Sequence, residues 1–157
     1  MPMAKKLALI ATKGSLDWAY PPFILTSTAV ALDYEVEIFF TFYGLTLLKK
    51  DLGNLKMSPL GNPALPMPTP MPNFLQILLG IYSMTTMMMK QKIASKGVAS
   101  IEDLRATVIE AGVKLIACQM TVDLFDFKKN DFIDNIEYGG TATFFEFAGE
   151  SDVNLFI

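Results

Sequence analysis

The side chain best suited to covalent chemistry in this sequence is the thiol of Cys118. It is the only cysteine among 157 residues, and the chain contains no histidine. An apolar run at residues 113–117, typical of a buried strand, comes directly before it. Helical spacing of Met120, Leu124 and Phe127 follows it. We therefore expect Cys118 at a strand-to-helix turn, where free N–H groups and the helix dipole stabilise a thiolate.

A lone cysteine also has a purely structural interpretation. Cysteine is among the most commonly buried residue types and usually packs as a small hydrophobe. From the residues alone, both interpretations of Cys118 stay open.

The absence of histidine excludes several classes of site. Ser-His-Asp and Cys-His catalysis need an imidazole base, and zinc sites most often use one. Activation of Cys118 would therefore have to be electrostatic. Neither a GxGxxG nor a Walker A pattern occurs, so no nucleotide site is predicted. We expect no cofactor and no metal.

Charge and cysteine content limit the expected partners and compartment. The net charge is −3 and Arg105 is the single arginine, so a basic face for nucleic acid is not expected. One cysteine cannot form an internal disulfide, which favours a reducing compartment and therefore the cytoplasm. The apolar stretch at residues 74–89 is shorter than the ~20 residues that span a bilayer, so a membrane location is not expected.

Alternating strand and helix patterns predict a three-layer α/β/α fold, with a parallel sheet of about five strands in one domain, residues 1–157. A Pro- and Met-rich loop at about residues 57–73 interrupts the alternation. The predicted strands are residues 7–11, 35–43, 113–117 and 153–157. The predicted helical segments are residues 21–32, 45–50, 74–93, 101–111, 120–127, 131–138 and 141–148.

The turn after the first predicted strand, residues 12–17, is a second candidate element of a site. Gly14 can adopt positive φ, and Ser15 or Asp17 can cap the next helix. Sites in parallel α/β sheets lie at the C-terminal edge of the strands. The turn and Cys118 both lie at such ends, so they could share one cleft.

Several segments resemble the DsrE/DsrF/DsrH-like family, in particular its DsrE2-type branch, which is sometimes labelled peroxiredoxin-like. The resemblance covers nearly the whole chain, and its most specific pieces are the ACQM and GNPALPMP segments. The matching segments are GSLD (residues 14–17), FFTFYGLTLLKKD (39–51), SPLGNPALPMP (58–68), KLIACQMTVDLF (114–125) and GGTATFFEFA (139–148).

The resemblance implies a DsrEFH-like, flavodoxin-like fold and a small cytoplasmic sulfur carrier or sulfurtransferase. Cys118 would hold a persulfide or thiosulfonate and pass it to a partner, such as a TusA-like carrier or a rhodanese. Gly14, Ser15 and Thr121 are candidates to line the substrate site, and Lys13 is a candidate to attract an anionic donor such as thiosulfate. All four residues could instead serve only turn and capping roles. A second, resolving cysteine is missing, so transfer must be to another molecule.

Two other functions compete with that of a sulfur carrier. A non-catalytic oligomeric binding or scaffold module would use Cys118 only for packing. A thiol peroxidase is disfavoured because the VKLIA segment lacks the proline and threonine that peroxiredoxins place before their cysteine. A homo-oligomer is expected in either remaining case, since 52% hydrophobic residues on a small chain leave apolar surface to cover.

Overall fold

The fold is described from a computed structural model over residues 4–58, 73–78 and 80–157. Strands and helices alternate along most of this part of the chain. The strands are β1 (Lys6–Ala11), β2 (Glu35–Phe40), β3 (Lys114–Cys118), β4 (Glu137–Gly139) and β5 (Val153–Phe156). The α-helices are α1 (Leu16–Ala31), α2 (Asn73–Leu78), α3 (Ile81–Ser95), α4 (Ile101–Glu110), α5 (Gln119–Leu124) and α6 (Thr141–Ala148), and 3₁₀ turns cover Phe42–Leu48 and Lys129–Asp131.

All five strands form one parallel sheet in the order β4-β3-β2-β1-β5. The three central strands are nearly continuous apolar runs, which is the pattern of a sheet covered on both faces. The predicted α/β class with five parallel strands is confirmed.

The two faces of the sheet are covered by different helices. Side chains alternate between faces along β1, so that Leu7 and Leu9 join a large core with α1 and α4. Ala8 lies on the other face, in a smaller cluster with Phe144 and Ala148 of α6. Right-handed crossovers explain this division. The strands β1 to β4 follow one another across the sheet in one direction, so the connections between them lie on one face. Only the connection from β4 back to β5 runs in the other direction and therefore passes over the opposite face.

Helix α1 begins earlier than predicted and contains Pro21 and Pro22 in its interior. Each proline removes one backbone donor, which favours a helix start near them. Burial of Leu16, Ala19 and Phe23 on the same helix outweighs this local preference.

Strand β2 is shorter than predicted. It ends at Phe40, and Phe42 has a φ of 48°, which is incompatible with a continuing strand. The helix predicted for residues 45–50 is a 3₁₀ segment instead, Phe42–Leu48, with Leu45, Leu47 and Leu48 buried. We call Phe42–Leu48 the 3₁₀ segment below.

The prediction of helix for residues 131–138 is wrong. Phe132 is buried in the larger core, and Glu137–Gly139 pairs with Ile116–Cys118 as strand β4. A strand this short carries little local signal, because its stability comes from the neighbouring strand rather than from its own sequence.

The long helix predicted for residues 74–93 is divided into α2 and α3 at Gly80, which has a φ of 63°. Most of the Pro- and Met-rich loop, residues 59–72, lies outside the described residues. Within the described ranges, no helix combines the length and apolar character needed to cross a membrane.

The predicted helix at residues 101–111 is observed as α4, and both of its ends are capped. The Ser100 hydroxyl accepts a hydrogen bond from the N–H of Asp103 at 3.1 Å, and Gly112 follows the helix with a φ of 77°. The helix predicted at residues 141–148 has the observed bounds of α6.

Candidate functional site around Cys118

Cys118 is the last residue of β3 and the N-cap of α5, as the sequence predicts. Its backbone is extended, with φ −64° and ψ 108°, and its thiol is free. Only 2% of the residue is exposed. The sulfur therefore lies at a helix start, but beneath the molecular surface.

The sheet topology makes the end of β3 a special position. Phe132, in the connection from β3 to β4, packs in the core on the α1 and α4 side of the sheet. The connection from β4 to β5 carries α6 on the other side. Open α/β sheets bind ligands at the C-terminal ends of neighbouring strands whose connections leave on opposite sides, and Cys118 and Gly139 pair at such a position.

Hydrogen-bond donors surround the sulfur on its polar side. The hydroxyls of Thr121 and Thr41 and the backbone N–H groups of Thr121 and Met120 are the hydrogen-bonding groups that lower its pKa. Burial alone raises the pKa of a thiol, because it penalises the charged form. Here the hydrogen bonds outweigh burial, the strongest being from the Thr121 hydroxyl, so the pKa of Cys118 lies below its ordinary value.

The two threonines form one network. Their hydroxyl oxygens are 3.1 Å apart, and the N–H of Phe42 lies 3.4 Å from the Thr121 oxygen, which can accept from it. A hydroxyl has one proton, so when one threonine donates to the other, the second donates to the sulfur. Thr121 is fully buried, which holds this arrangement in a dry environment.

Thr41 was not singled out from the sequence. It follows Phe40, which pairs with Ala117, so the parallel register sets Thr41 beside Cys118. The available signal was its position: a hydroxyl directly after a buried strand lies at the same sheet edge as Cys118. Finding it required knowing that β2 ends at Phe40 rather than Tyr43.

The other side of the thiol is apolar. Cys118 packs in the smaller cluster with Phe39, Ile116 and Phe144. The rings of Phe39 and Phe144 lie 5.6 Å apart between centroids. A sulfur anion here is solvated by the protein's own donors rather than by water.

Lys13, Gly14 and Ser15 lie at a different place on the same sheet edge. They line a cavity of about 620 Å³ together with residues of the 3₁₀ segment and of residues 49–58. Neither Cys118 nor Thr121 is among the residues lining this cavity. Thr121 thus lies beside Cys118, whereas the residue 12–17 turn borders this cavity.

The 3₁₀ segment borders both regions. The N–H of Phe42 faces Thr121, while Tyr43 and Thr46 line the cavity. The segment lies tightly against the end of β1, because a Cβ on Gly44 would collide with the carbonyl oxygen of Ala11. Arg105 of α4 donates to the carbonyl of Leu47 at 2.9 Å, so the single arginine anchors the segment.

Position 14 requires glycine because there is no room for a Cβ atom, and not because φ is positive. Its φ is outside the left-handed region, but a Cβ would collide with the carbonyl oxygen of Tyr43 and the hydroxyl of Thr46. Ser15 is the N-cap of α1 without a side-chain cap, and its hydroxyl lies 3.0 Å from that of Ser58. Asp17 accepts hydrogen bonds from the N–H and hydroxyl of Ser58.

The described part of the chain contains no cluster of potential metal ligands. No group of three or more cysteine or acidic residues comes together there in a way that would hold a metal ion. The donor set around the thiol consists of hydroxyl and N–H groups, which stabilise an anion.

Two known proteins match this chain over nearly its whole length. The chain is 66% identical over 157 residues to the sulfur carrier protein DsrE2 of Allochromatium vinosum, with 98% of each chain covered. It is 31% identical over 164 residues to the uncharacterized protein YrkE of Bacillus subtilis, with 98% of this chain and 97% of YrkE covered.

Among solved structures, the crystal structure of the ychN protein from E. coli superposes with a TM-score of 0.55 at 13% identity. The match covers 98% of this chain and 99% of the other, and it supports the fold. Residues 3–156 match the profile of the family described as DsrE/DsrF/DrsH-like. With this match and the 66% identity, the chain belongs to the DsrE/DsrF/DrsH-like family.

Proposed function

We propose that this protein is a sulfur carrier that holds a sulfane sulfur on Cys118 and passes it to a partner protein. The observation that carries the proposal is the convergence of threonine hydroxyls and N–H groups on a thiol at the C-terminal end of β3. These donors stabilise a thiolate, which is the nucleophile in sulfur transfer. The relative from Allochromatium vinosum is named a sulfur carrier, which supports the same role here.

The transfer proceeds without net oxidation or reduction. The Cys118 thiolate attacks the outer sulfur of a donor persulfide, RS–SH. A bond forms between Sγ and that sulfur, the S–S bond of the donor breaks, and the donor leaves as a thiolate that takes a proton from water. The reverse step, in which a partner's thiolate attacks the persulfide on Cys118, unloads the carrier.

The hydroxyls and N–H groups that lower the thiol pKa also stabilise the persulfide anion. Thr121 holds the charge at the helix start, and Thr41 completes the donor set from the neighbouring strand. The apolar packing against Phe144 excludes stray thiols that would remove the sulfur. Because the residue is only 2% exposed, loading and unloading require a local opening around the start of α5.

The acceptor is a second protein, because the chain has no second cysteine to resolve a persulfide internally. TusA-like carriers and rhodaneses are the partner class that fits this exchange. We further propose that the protein acts in the cytoplasm as a homo-oligomer. Exposed apolar side chains such as Phe145 and Phe156, which are 69% and 74% exposed, favour assembly.

Mass spectrometry of the intact protein tests the carrier role. We expect the reduced protein to gain one sulfur atom, or a thiosulfonate group, after incubation with polysulfide, thiosulfate or tetrathionate. The Cys118→Ser variant is expected to gain nothing, since no other cysteine is present. A TusA-like acceptor added afterwards is expected to take up the mass that Cys118 loses. An unmodified wild-type protein under every donor, beside a control carrier that does load, refutes the proposal.

The burial of Cys118 favours a second candidate function, a scaffold in which the cysteine only packs. A scaffold predicts slow alkylation at neutral pH and unchanged partner binding in Cys118→Ser. A carrier predicts alkylation promoted by the lowered pKa and loss of transfer in the same variant.

A further inference from the structure

The cavity at the end of β1 has the size of a small-molecule site that the proposed sulfur transfer does not use. Its volume of about 620 Å³ lies within the range of ~300–1,000 Å³ typical of sites for small organic ligands. A single oxyanion such as thiosulfate would fill little of it. Cys118 and Thr121 do not line it, so its ligand is not defined by the sulfur chemistry at the thiol.

The charges along the cavity favour an anion. Lys13, Lys49 and Lys56 all line it, and Asp51 is the acidic residue among the lining side chains. The Asp51 carboxylate accepts two hydrogen bonds within its own turn, from the N–H of Gly53 at 2.7 Å and from the side-chain amide of Asn54 at 2.8 Å. The cavity therefore carries a surplus of positive charge.

Aromatic rings form the second recognition element. Trp18 and Tyr43 line the cavity, and the ammonium of Lys13 lies 3.3 Å from the centroid of the Trp18 ring. The Tyr43 ring stacks against Phe125 on one face, with centroids 5.8 Å apart, yet the residue is 67% exposed. A positive charge beside flat rings suits a ligand that has both an anionic group and a ring of its own.

We propose that this cavity binds an organic anion with a flat ring, of the chemical class of a nucleoside monophosphate. Lys13 pairs with the anionic group, and the rings of Trp18 and Tyr43 hold the base. Recognition of this kind uses side chains rather than a glycine-rich loop, so the lack of a GxGxxG or Walker A pattern does not oppose it. A bare oxyanion leaves the rings unused, and a peptide thiol such as glutathione brings no ring.

Trp18 is the only tryptophan of the chain, so its fluorescence reports on the cavity directly. We expect AMP to change this fluorescence in a saturable way, with a Kd below about 1 mM. Adenosine and inorganic phosphate are each expected to bind at least about tenfold more weakly. Adenosine lacks the anionic group, and phosphate lacks the ring. Thiosulfate and glutathione are titrated in parallel.

Two lysine variants sharpen the test. Lys13→Gln is expected to raise the Kd for AMP about tenfold. Lys96→Gln removes an exposed lysine that does not line the cavity, and it is expected to leave the Kd unchanged. Circular dichroism of each variant shows whether the fold is intact.

Three results would overturn the proposal. The first is no saturable response to AMP by fluorescence or by calorimetry on the wild-type protein. The second is phosphate or thiosulfate binding as tightly as AMP, which makes the cavity a simple oxyanion site. The third is tighter binding of glutathione than of AMP, which makes it a site for a thiol donor. Sulfur loading of Cys118 is measured on the same samples, and it stays intact if only the cavity proposal fails.

Discussion

The thiol at the end of β3 and the cavity at the end of β1 lie on one edge of one sheet, yet their surroundings are opposite. Cys118 is 2% exposed and has hydroxyl and N–H donors on one side and phenylalanine rings on the other. The cavity is open to solvent and carries three lysines and two aromatic rings. The thiol region favours an anion through buried hydrogen-bond donors, and the cavity favours one through its charge.

The 3₁₀ segment produces this difference. Its first residue, Phe42, faces the threonine network, and the next, Tyr43, faces the cavity. Because Gly44 lies against the backbone of Ala11, the segment cannot shift without disturbing β1. Two chemically distinct regions can therefore lie close together on one sheet edge when a single well-packed turn separates them.

The largest expected effect comes from displacing the 3₁₀ segment with Gly44→Ala. The new Cβ would collide with the carbonyl oxygen of Ala11, which belongs to a central strand and cannot move freely. We expect the free energy of unfolding in urea to fall by about 3 kcal/mol, as for other overpacked sites. Both thiol alkylation and ligand binding in the cavity should change together.

Gly140→Ala is the matched control for this substitution. A Cβ at Gly140 meets nothing within 4 Å, and the residue has a φ of −103°. We expect its unfolding free energy to stay within about 0.5 kcal/mol of wild type. A Gly44→Ala protein of wild-type stability would show that the segment does not separate the two regions rigidly.

A second, smaller effect is expected at the thiol alone. Thr121→Val removes the hydroxyl that does most to lower the pKa of Cys118 and keeps the side-chain shape. We expect the midpoint of the pH profile for alkylation to rise. The rate at neutral pH should fall, because a smaller fraction of the thiol is ionised. AMP binding in the cavity is expected to be unaffected.

Thr121→Ser retains the hydroxyl and should restore much of the wild-type profile. Thr107→Val removes a hydroxyl on an exposed helix face, where Thr107 donates to the carbonyl of Asp103, and should change nothing at the thiol. An unshifted pH midpoint in Thr121→Val would contradict the assignment of this hydroxyl.

The smallest effect is expected far from both regions, at Glu37. Burial raises the pKa of its carboxyl, and Lys114, 3.4 Å away, offsets this only in part; one carboxyl oxygen has no hydrogen-bond partner. A raised folded-state pKa gives stability that is present below the unfolded pKa and lost as pH rises through the folded pKa. The free energy of unfolding of Glu37→Gln should therefore increase relative to wild type as the pH rises above about 4, the unfolded pKa of a glutamate.

Thermal or urea unfolding across this pH range provides the measurement. Glu110→Gln, at an exposed glutamate that ends α4 and is not among the charges acting on Glu37, serves as the control. The rate of Cys118 alkylation should be the same in both variants. A loss of stability in Glu37→Gln at pH 7 would mean that the ion pair with Lys114 outweighs burial.

Periodicity and composition were sufficient to predict the α/β class, the parallel sheet and the position of Cys118 between a strand and a helix. These features depend on local signals: apolar runs at residues 7–11 and 113–117, and helical spacing around them. The same signals failed for β4 and for the prolines in α1, where packing against neighbouring elements decides the conformation.

The sequence by itself determined which atom is the candidate for covalent chemistry, because a chain with one cysteine and no histidine leaves few others. It also determined that the atom follows a buried strand. Only the tertiary structure decided that Thr41 joins Thr121 at the sulfur and that Lys13, Gly14 and Ser15 line a separate cavity. Both outcomes depend on where β2 ends and how the 3₁₀ segment packs, and such contacts between distant residues are set by the register of the strands rather than by local sequence.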